Sequence, residues 1–270
     1  MAYRLSLQTV LLGGVAALFG ATRVIPAHDS DGPVLTSAIS IVKGTVAGND
    51  TSNLSSHGRV LSKVSIALNA FQSTVRPLSH SRALEDAFRS YFAYKSAHLA
   101  DVRKPYLYFV DYGLPSTTPR GYVFDMDSLK LVDGPFMVAH GRGSSRGKYG
   151  VPTRFSNALG SAATSLGLYL AEDTYAFHGK AGGHPYGSVG LRLQGVSQGY
   201  NDNALARRVV AHGAPYVTRK GAGRSEGCPA MDQSRAHRLL PELANGGMVF
   251  LFAPDANWMG RDPWVTTSTN

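Results

Sequence analysis

The sequence predicts a mainly β domain of the α+β class, an antiparallel sandwich or barrel with a small N-terminal helical segment and one late helix. Three observations predict it. Beyond residue 105 the chain breaks into short runs (YLYFVDY, GYVFDMD, LKLVDGPFMVAH, SLGLYLAE, VGLRLQG, ARRVVAHG, GMVFLFAP) separated by Gly, Pro, Asn and Ser, the pattern of strands joined by turns. The 270 residues include 30 glycines and 14 prolines, too many breakers for a helical bundle. The runs are also too short and irregular for βαβ units, and no GxGxxG or phosphate-loop motif follows any of them.

In chain order, residues 1–27 carry Arg4, an apolar run and then VIPAHDS, which reads as a signal peptide or an uncleaved anchor. Either reading places the body outside the cytoplasm, in the periplasm or cell envelope. Residues 28–58 are rich in Ser, Thr, Gly, Asn and Asp and read as a flexible linker. Over 59–104, Val60, Val64, Leu68, Phe71 and Val75, then Leu84, Phe88, Tyr91, Lys95 and Leu99, recur at helical spacing and predict two packing helices. The β domain occupies 105–254, its late helix spans about 233–244, and 255–270 reads as a C-terminal tail.

The formal charge of +9 is concentrated. Residues 134–171 hold Arg142, Arg146, Lys148 and Arg154 with no acidic residue. Residues 203–225 hold Arg207, Arg208, Arg219, Lys220 and Arg224, again with none. Such stretches favour an anionic ligand. Export and the lack of a basic-helix or aromatic platform motif argue against nucleic acid.

Cys228 is the only cysteine, so no intramolecular disulfide can form. His212 lies sixteen residues earlier, in AHGAPYVTRKGAGRSEGCPAMD, at the end of an expected strand. A cysteine attacks carbonyl carbon as the thiolate, so it needs a nearby base and a positive field. His212 and the arginines around it supply both. Gly227 lets the backbone approach substrate, and the N–H groups of Gly227 and Cys228 are the candidate oxyanion donors. Pro229 has no N–H, so donors must lie at or before the thiol. Glu226 would raise the thiol pKa unless it pairs with Arg224 or points outward. His140, His178, His184 and His212 lack zinc-ligand spacing, and neither a metal nor another cofactor is expected. His140, His178 and Arg142 are candidates to line a substrate groove. The five glycines of 175–190 suit either a lid or a plain surface loop.

HGA…GRSEGCPA resembles the His-Gly…Ser-x-Gly-Cys signature of YkuD-type L,D-transpeptidase catalytic domains, and segments from 78 to 254 resemble the murein L,D-transpeptidase branch. The resemblance implies Cys228 as nucleophile, His212 as base and the main chain near Gly213 as its orienter. Ser225 maps to the family's turn serine, with a role in the turn or toward substrate. It further implies a cysteine acyltransferase that forms a thioester with a tetrapeptide stem of peptidoglycan and passes it to an amine, giving 3→3 cross-links, or to water. An L,D-carboxypeptidase, another wall thiol peptidase and a noncatalytic wall-binding module are the alternatives. Anionic envelope polymers are a second candidate partner, and the oligomeric state is open. Glu226, where the family pattern has a histidine or aromatic residue, and Pro229-Ala230 depart from that pattern.

Overall fold

The computed structural model describes residues 55–267. The expected signal peptide or anchor, and the linker up to residue 54, lie outside the described residues. No helix among the described residues is long and apolar enough to cross a membrane.

Helix α1 (Ser56–Phe71) starts where the Ser55 hydroxyl accepts from the Gly58 N–H at 3.1 Å, satisfying a free donor of the first turn. Val60, Val64, Ala67 and Phe71 recur every three or four residues and form its buried stripe. Helix α2 (Ala83–Ala97) opens with Glu85 and Asp86, which complement the positive end of the helix. Leu84, Phe88 and Tyr91 are buried as the periodicity predicts, whereas Leu99 lies beyond the helix and is exposed. Phe71 and Phe88 of these helices pack on Phe124, with ring centroids 4.6 and 5.5 Å away.

The strands are β1 (Tyr106–Asp111), β2 (Gly121–Asp125), β3 (Lys130–Phe136), β4 (His140–Gly141), β5 (Gly167–Ala181), β6 (His184–Gly195), β7 (Val210–Gly213), β8 (Val217–Thr218), β9 (Gly221–Ala222), β10 (Arg224–Ser225), β11 (Ala230–Met231) and β12 (Met248–Phe252). Eight form one mixed sheet in the order β11-β7-β6-β5-β12-β1-β2-β3. Its neighbours are antiparallel except β1 with β12 and β7 with β11. The mainly β class therefore holds, as one large open sheet with no closed barrel. The MVFLF run of β12 is buried at every position, as a strand covered on both faces requires.

Side chains alternate across β1. Phe124, opposite Leu107, faces α1 and α2. Tyr108 stacks on Phe136, over which lies Arg235 of the late helix α3 (Gln233–Leu243). The two helical layers thus cover opposite faces of the sheet. Helix α3 is capped by Asp232, which accepts from the Arg235 N–H at 3.0 Å, and it buries Ala236, Leu239, Leu240 and Leu243.

Two stretches differ from expectation. Within 255–267, the stretch read as a tail, Trp258, Met259, Asp262 and Val265 are buried against the core. The short helix α4 (Ala256–Met259) buries Trp258 against Phe250 and Phe252, and Asp262 accepts from the Trp258 indole at 2.9 Å. The stretch 175–190 is not a loop. It is the outer arm of a β5–β6 hairpin, paired from Tyr175↔Gly190 to Ala181↔His184. Gly182 and Gly183 turn it with φ of 58° and 84°, a left-handed pair that only glycine adopts without strain.

Candidate active site

The Cys228 turn is pinned on both sides. Strand β10 precedes it and pairs in parallel with β4, and β11 follows it and pairs in parallel with β7. β7 carries His212, whose N–H donates to the Pro229 carbonyl at 3.3 Å. The residue after the thiol is therefore bonded to the main chain of the histidine, and the strand pairing joins His212 to Ala230, eighteen positions later.

Ser225 shapes the turn between the two strands. Its hydroxyl accepts from the Gly227 N–H at 3.2 Å and donates to the Cys228 carbonyl at 2.7 Å. Gly227 has φ of 123°, and a Cβ there would stand 2.9 Å from the Ala163 carbonyl oxygen. Its N–H being held by Ser225, only the Cys228 N–H of the two expected oxyanion donors has no hydrogen-bond partner among the described residues.

His212 is almost fully buried. Its Nδ1 lies 3.1 Å from the Gly213 carbonyl oxygen. A carbonyl only accepts, so Nδ1 carries the proton and Nε2 keeps a lone pair. Burial pulls the imidazole down to about 4, and the Gly213 bond opposes this only in part, so the ring is neutral at neutral pH. Phe177 stacks on it, with centroids 4.2 Å apart at 18°, and fixes its plane.

The Cys228 side chain is partly exposed. Its Sγ lies 4.0 Å from the Arg208 carbonyl oxygen. Protein packed around the sulfur pushes its pKa up. The Val210 N–H and the Arg207 charge pull it down, and Glu226 adds a smaller upward push. Arg207 is itself anchored, donating to the Ser165 and Ser161 hydroxyls at 3.0 and 3.2 Å. Thiol and imidazole are thus both neutral in the free protein.

The partner of Glu226 is Arg142. Its Nε lies 2.7 and 2.8 Å from the two carboxylate oxygens, on the surface. Glu226 points outward as expected, but Arg224 is not its partner, because its Nη1 donates to the Ser145 and Arg146 carbonyls.

His140 does not line a groove. It is fully buried, with Nδ1 2.9 Å from Arg120 Nη2 and Nε2 2.7 Å from the Ser145 hydroxyl. Guanidinium only donates, so Nδ1 accepts, and Nε2–H donates to Ser145, which passes its own proton to the Gly147 carbonyl. Burial first, then the Arg120 and Arg224 charges, hold its pKa down to about 3. His178 is exposed on β5 and follows Phe177 by one residue, so it faces away from His212. Among the described residues no group of three or more His, Cys, Asp or Glu is arranged to hold a metal ion.

The aromatic wall was missed from the sequence. Tyr175 and Tyr186 flank Phe177 at 6.3 and 6.1 Å, and Tyr216 meets Tyr186 edge-on at 6.4 Å. The signal that could have revealed it is the Gly182-Gly183 turn, which sets the hairpin register. A cavity of about 460 Å³ between β3, β8 and α3 is lined by neither Cys228 nor His212.

Residues 77–252 match the family described as the L,D-transpeptidase catalytic domain. No curated protein matches the chain. Among solved structures it is similar to an L,D-transpeptidase from Mycobacterium smegmatis, at 14% identity over 55% of this chain and 59% of that one, with a TM-score of 0.33. It is also similar to one from Stackebrandtia nassauensis, at 16% identity over 64% and 67%, TM-score 0.34. A third, from Xylanimonas cellulosilytica, is 12% identical over 55% and 61%, TM-score 0.32. The chain spans less than two thirds of the first of these structures.

Proposed function

The chain belongs to the L,D-transpeptidase catalytic domain family, and on that footing we propose that it is an exported cysteine acyltransferase acting on the tetrapeptide stems of peptidoglycan. The observation that carries the reading is the strand pairing that sets the main chain of His212 against the residues that follow Cys228. The tautomer of His212 leaves Nε2 as a proton acceptor, and its main chain is bonded to the residue beside the thiol.

In this reading the Cys228 thiol proton passes from its contact with the Arg208 carbonyl to His212 Nε2 as Sγ attacks the carbonyl of the third stem residue. Both groups start neutral, so the proton moves with the attack. The Cys228 N–H faces the developing oxyanion. The imidazolium then returns its proton to the departing amine of the terminal D-amino acid, and a thioester remains. An amine of a second stem, or water, then breaks the thioester, with Nε2 again taking the proton. Export rests on the apolar N-terminal run, and a periplasmic or envelope location follows from the substrate.

The test is incubation of the protein with disaccharide-tetrapeptides and mass analysis of the products, beside Cys228→Ala. A 3→3 dimer in the wild type alone supports transpeptidation, and tripeptide alone identifies an L,D-carboxypeptidase. Neither product, with no acyl-enzyme, would overturn the enzymatic reading in favour of a noncatalytic wall-binding module.

A further inference from the structure

Two adjoining clefts beside the thiol turn share Arg142. One, about 300 Å³, is lined by the basic side chains of Arg142, Lys148, Lys180 and Arg224 together with Tyr216. The other, about 380 Å³, adds Arg146 and Arg154. No Asp or Glu lines either cleft. Apart from Glu226, which pairs with the shared Arg142 from outside the lining, these like charges have no acidic neighbour there, and they favour an anionic occupant.

The first cleft adjoins the nucleophile turn. Arg224 lies four residues before the nucleophile, Lys180 stands at the hairpin tip, and Tyr216 meets Tyr186 of the aromatic wall edge-on. A carboxylate already reaches this surface from the turn, where Glu226 lies on Arg142 Nε through both oxygens. Both partners are largely exposed, at 60% and 71%, so the pair is held weakly and a competitor can replace it.

We propose that this cleft is a carboxylate subsite for the donor stem, and that Glu226 is a placeholder which the stem's carboxylate displaces from Arg142. The proposal rests on the reading of Cys228 as the residue acylated by a stem. Among the stem groups that carry this chemistry are the terminal carboxylate and a side-chain carboxylate on the third residue.

The test measures binding to Cys228→Ala protein, which needs no turnover. The probes are a tetrapeptide with free carboxylates, two forms each amidated at one of those positions, and polyphosphate. We expect one amidated form to bind about tenfold more weakly than the free acid, which identifies the source. Adding Lys180→Ala, an exposed hairpin-tip change, weakens the free acid several-fold and leaves that amide unaffected. Adding Glu226→Gln tightens the free acid about threefold by freeing Arg142. Equal affinity for the acid and both amides, or no binding of any peptide, overturns the subsite. Binding of polyphosphate without discrimination among the peptides overturns it in favour of a polymer-binding surface. Discrimination as expected with no product from the wild type would leave the subsite standing and remove the transferase reading instead.

Discussion

The chain contains the triplet Ala-His-Gly twice, at 139–141 and 211–213, and the two copies flank the same turn. Each sits on a short buried strand paired in parallel with a strand beside Cys228, β4 with β10 and β7 with β11. They differ in what the ring nitrogens do. Both nitrogens of His140 are engaged, by Arg120 and Ser145. His212 spends only Nδ1, on its neighbour's carbonyl. Burial and strand position are therefore shared by a structural histidine and a candidate base, and the unspent Nε2 separates them.

The largest expected effect breaks the His212 side of this comparison. In the proposed reading His212→Gln removes the proton acceptor for the thiol and lowers turnover by about 10³-fold or more, within the range for loss of a general base. A thermal melt beside the kinetic assay will show a much smaller change than for the second variant.

That variant, His140→Ala, leaves a guanidinium nitrogen and the Ser145 hydroxyl without their buried partner. It costs about 3 kcal/mol, read as a fall in Tm of about 8 °C.

A third prediction follows from the direction of both pKa shifts. Each folded-state value lies below the ordinary 6.5, so as pH falls the unfolded chain binds protons first. The stability involved is whole above about pH 6.5. It is lost progressively toward about 4 for His212 and about 3 for His140. His140→Gln, which can still accept from Arg120 and donate to Ser145, will flatten the acid limb of a Tm-against-pH curve. An unchanged acid limb would deny His140 that role.

The smallest effect concerns the thiol. With its pKa pushed up and His212 neutral, iodoacetamide alkylation of Cys228 will rise steadily with pH and show no low-pH plateau. A plateau below pH 6 would indicate a preformed thiolate–imidazolium pair.

Much of this region was legible in the sequence because its signals are local. The β-rich runs became strands, the 233–244 stretch became α3 with its Asp232 cap, and a strand, loop and turn bring the main chains of His212 and Pro229 into contact. What escaped depends on pairing between distant residues. Glu226 finds Arg142, 84 positions away, although Arg224 is its neighbour in sequence. His178 reads like a groove residue until strand alternation turns it outward, behind Phe177. Gly182-Gly183 was counted among loop glycines, yet two residues between β-rich arms form a hairpin turn, and that turn brings the aromatic wall onto His212. Trp258-Met259 and Trp264-Val265 are only two short apolar pairs in a polar stretch, so the packed core rather than a periodic pattern reveals that they belong to it.

The most direct measurement follows the single-turnover rate of acyl-enzyme formation with a tetrapeptide donor, by intact-protein mass, in the wild type, His140→Gln and His212→Gln. The account predicts an adduct on Cys228 that forms within about threefold of the wild-type rate in His140→Gln and at least about 100-fold more slowly in His212→Gln. Wild-type acylation rates in His212→Gln, or a loss confined to His140→Gln, would contradict it.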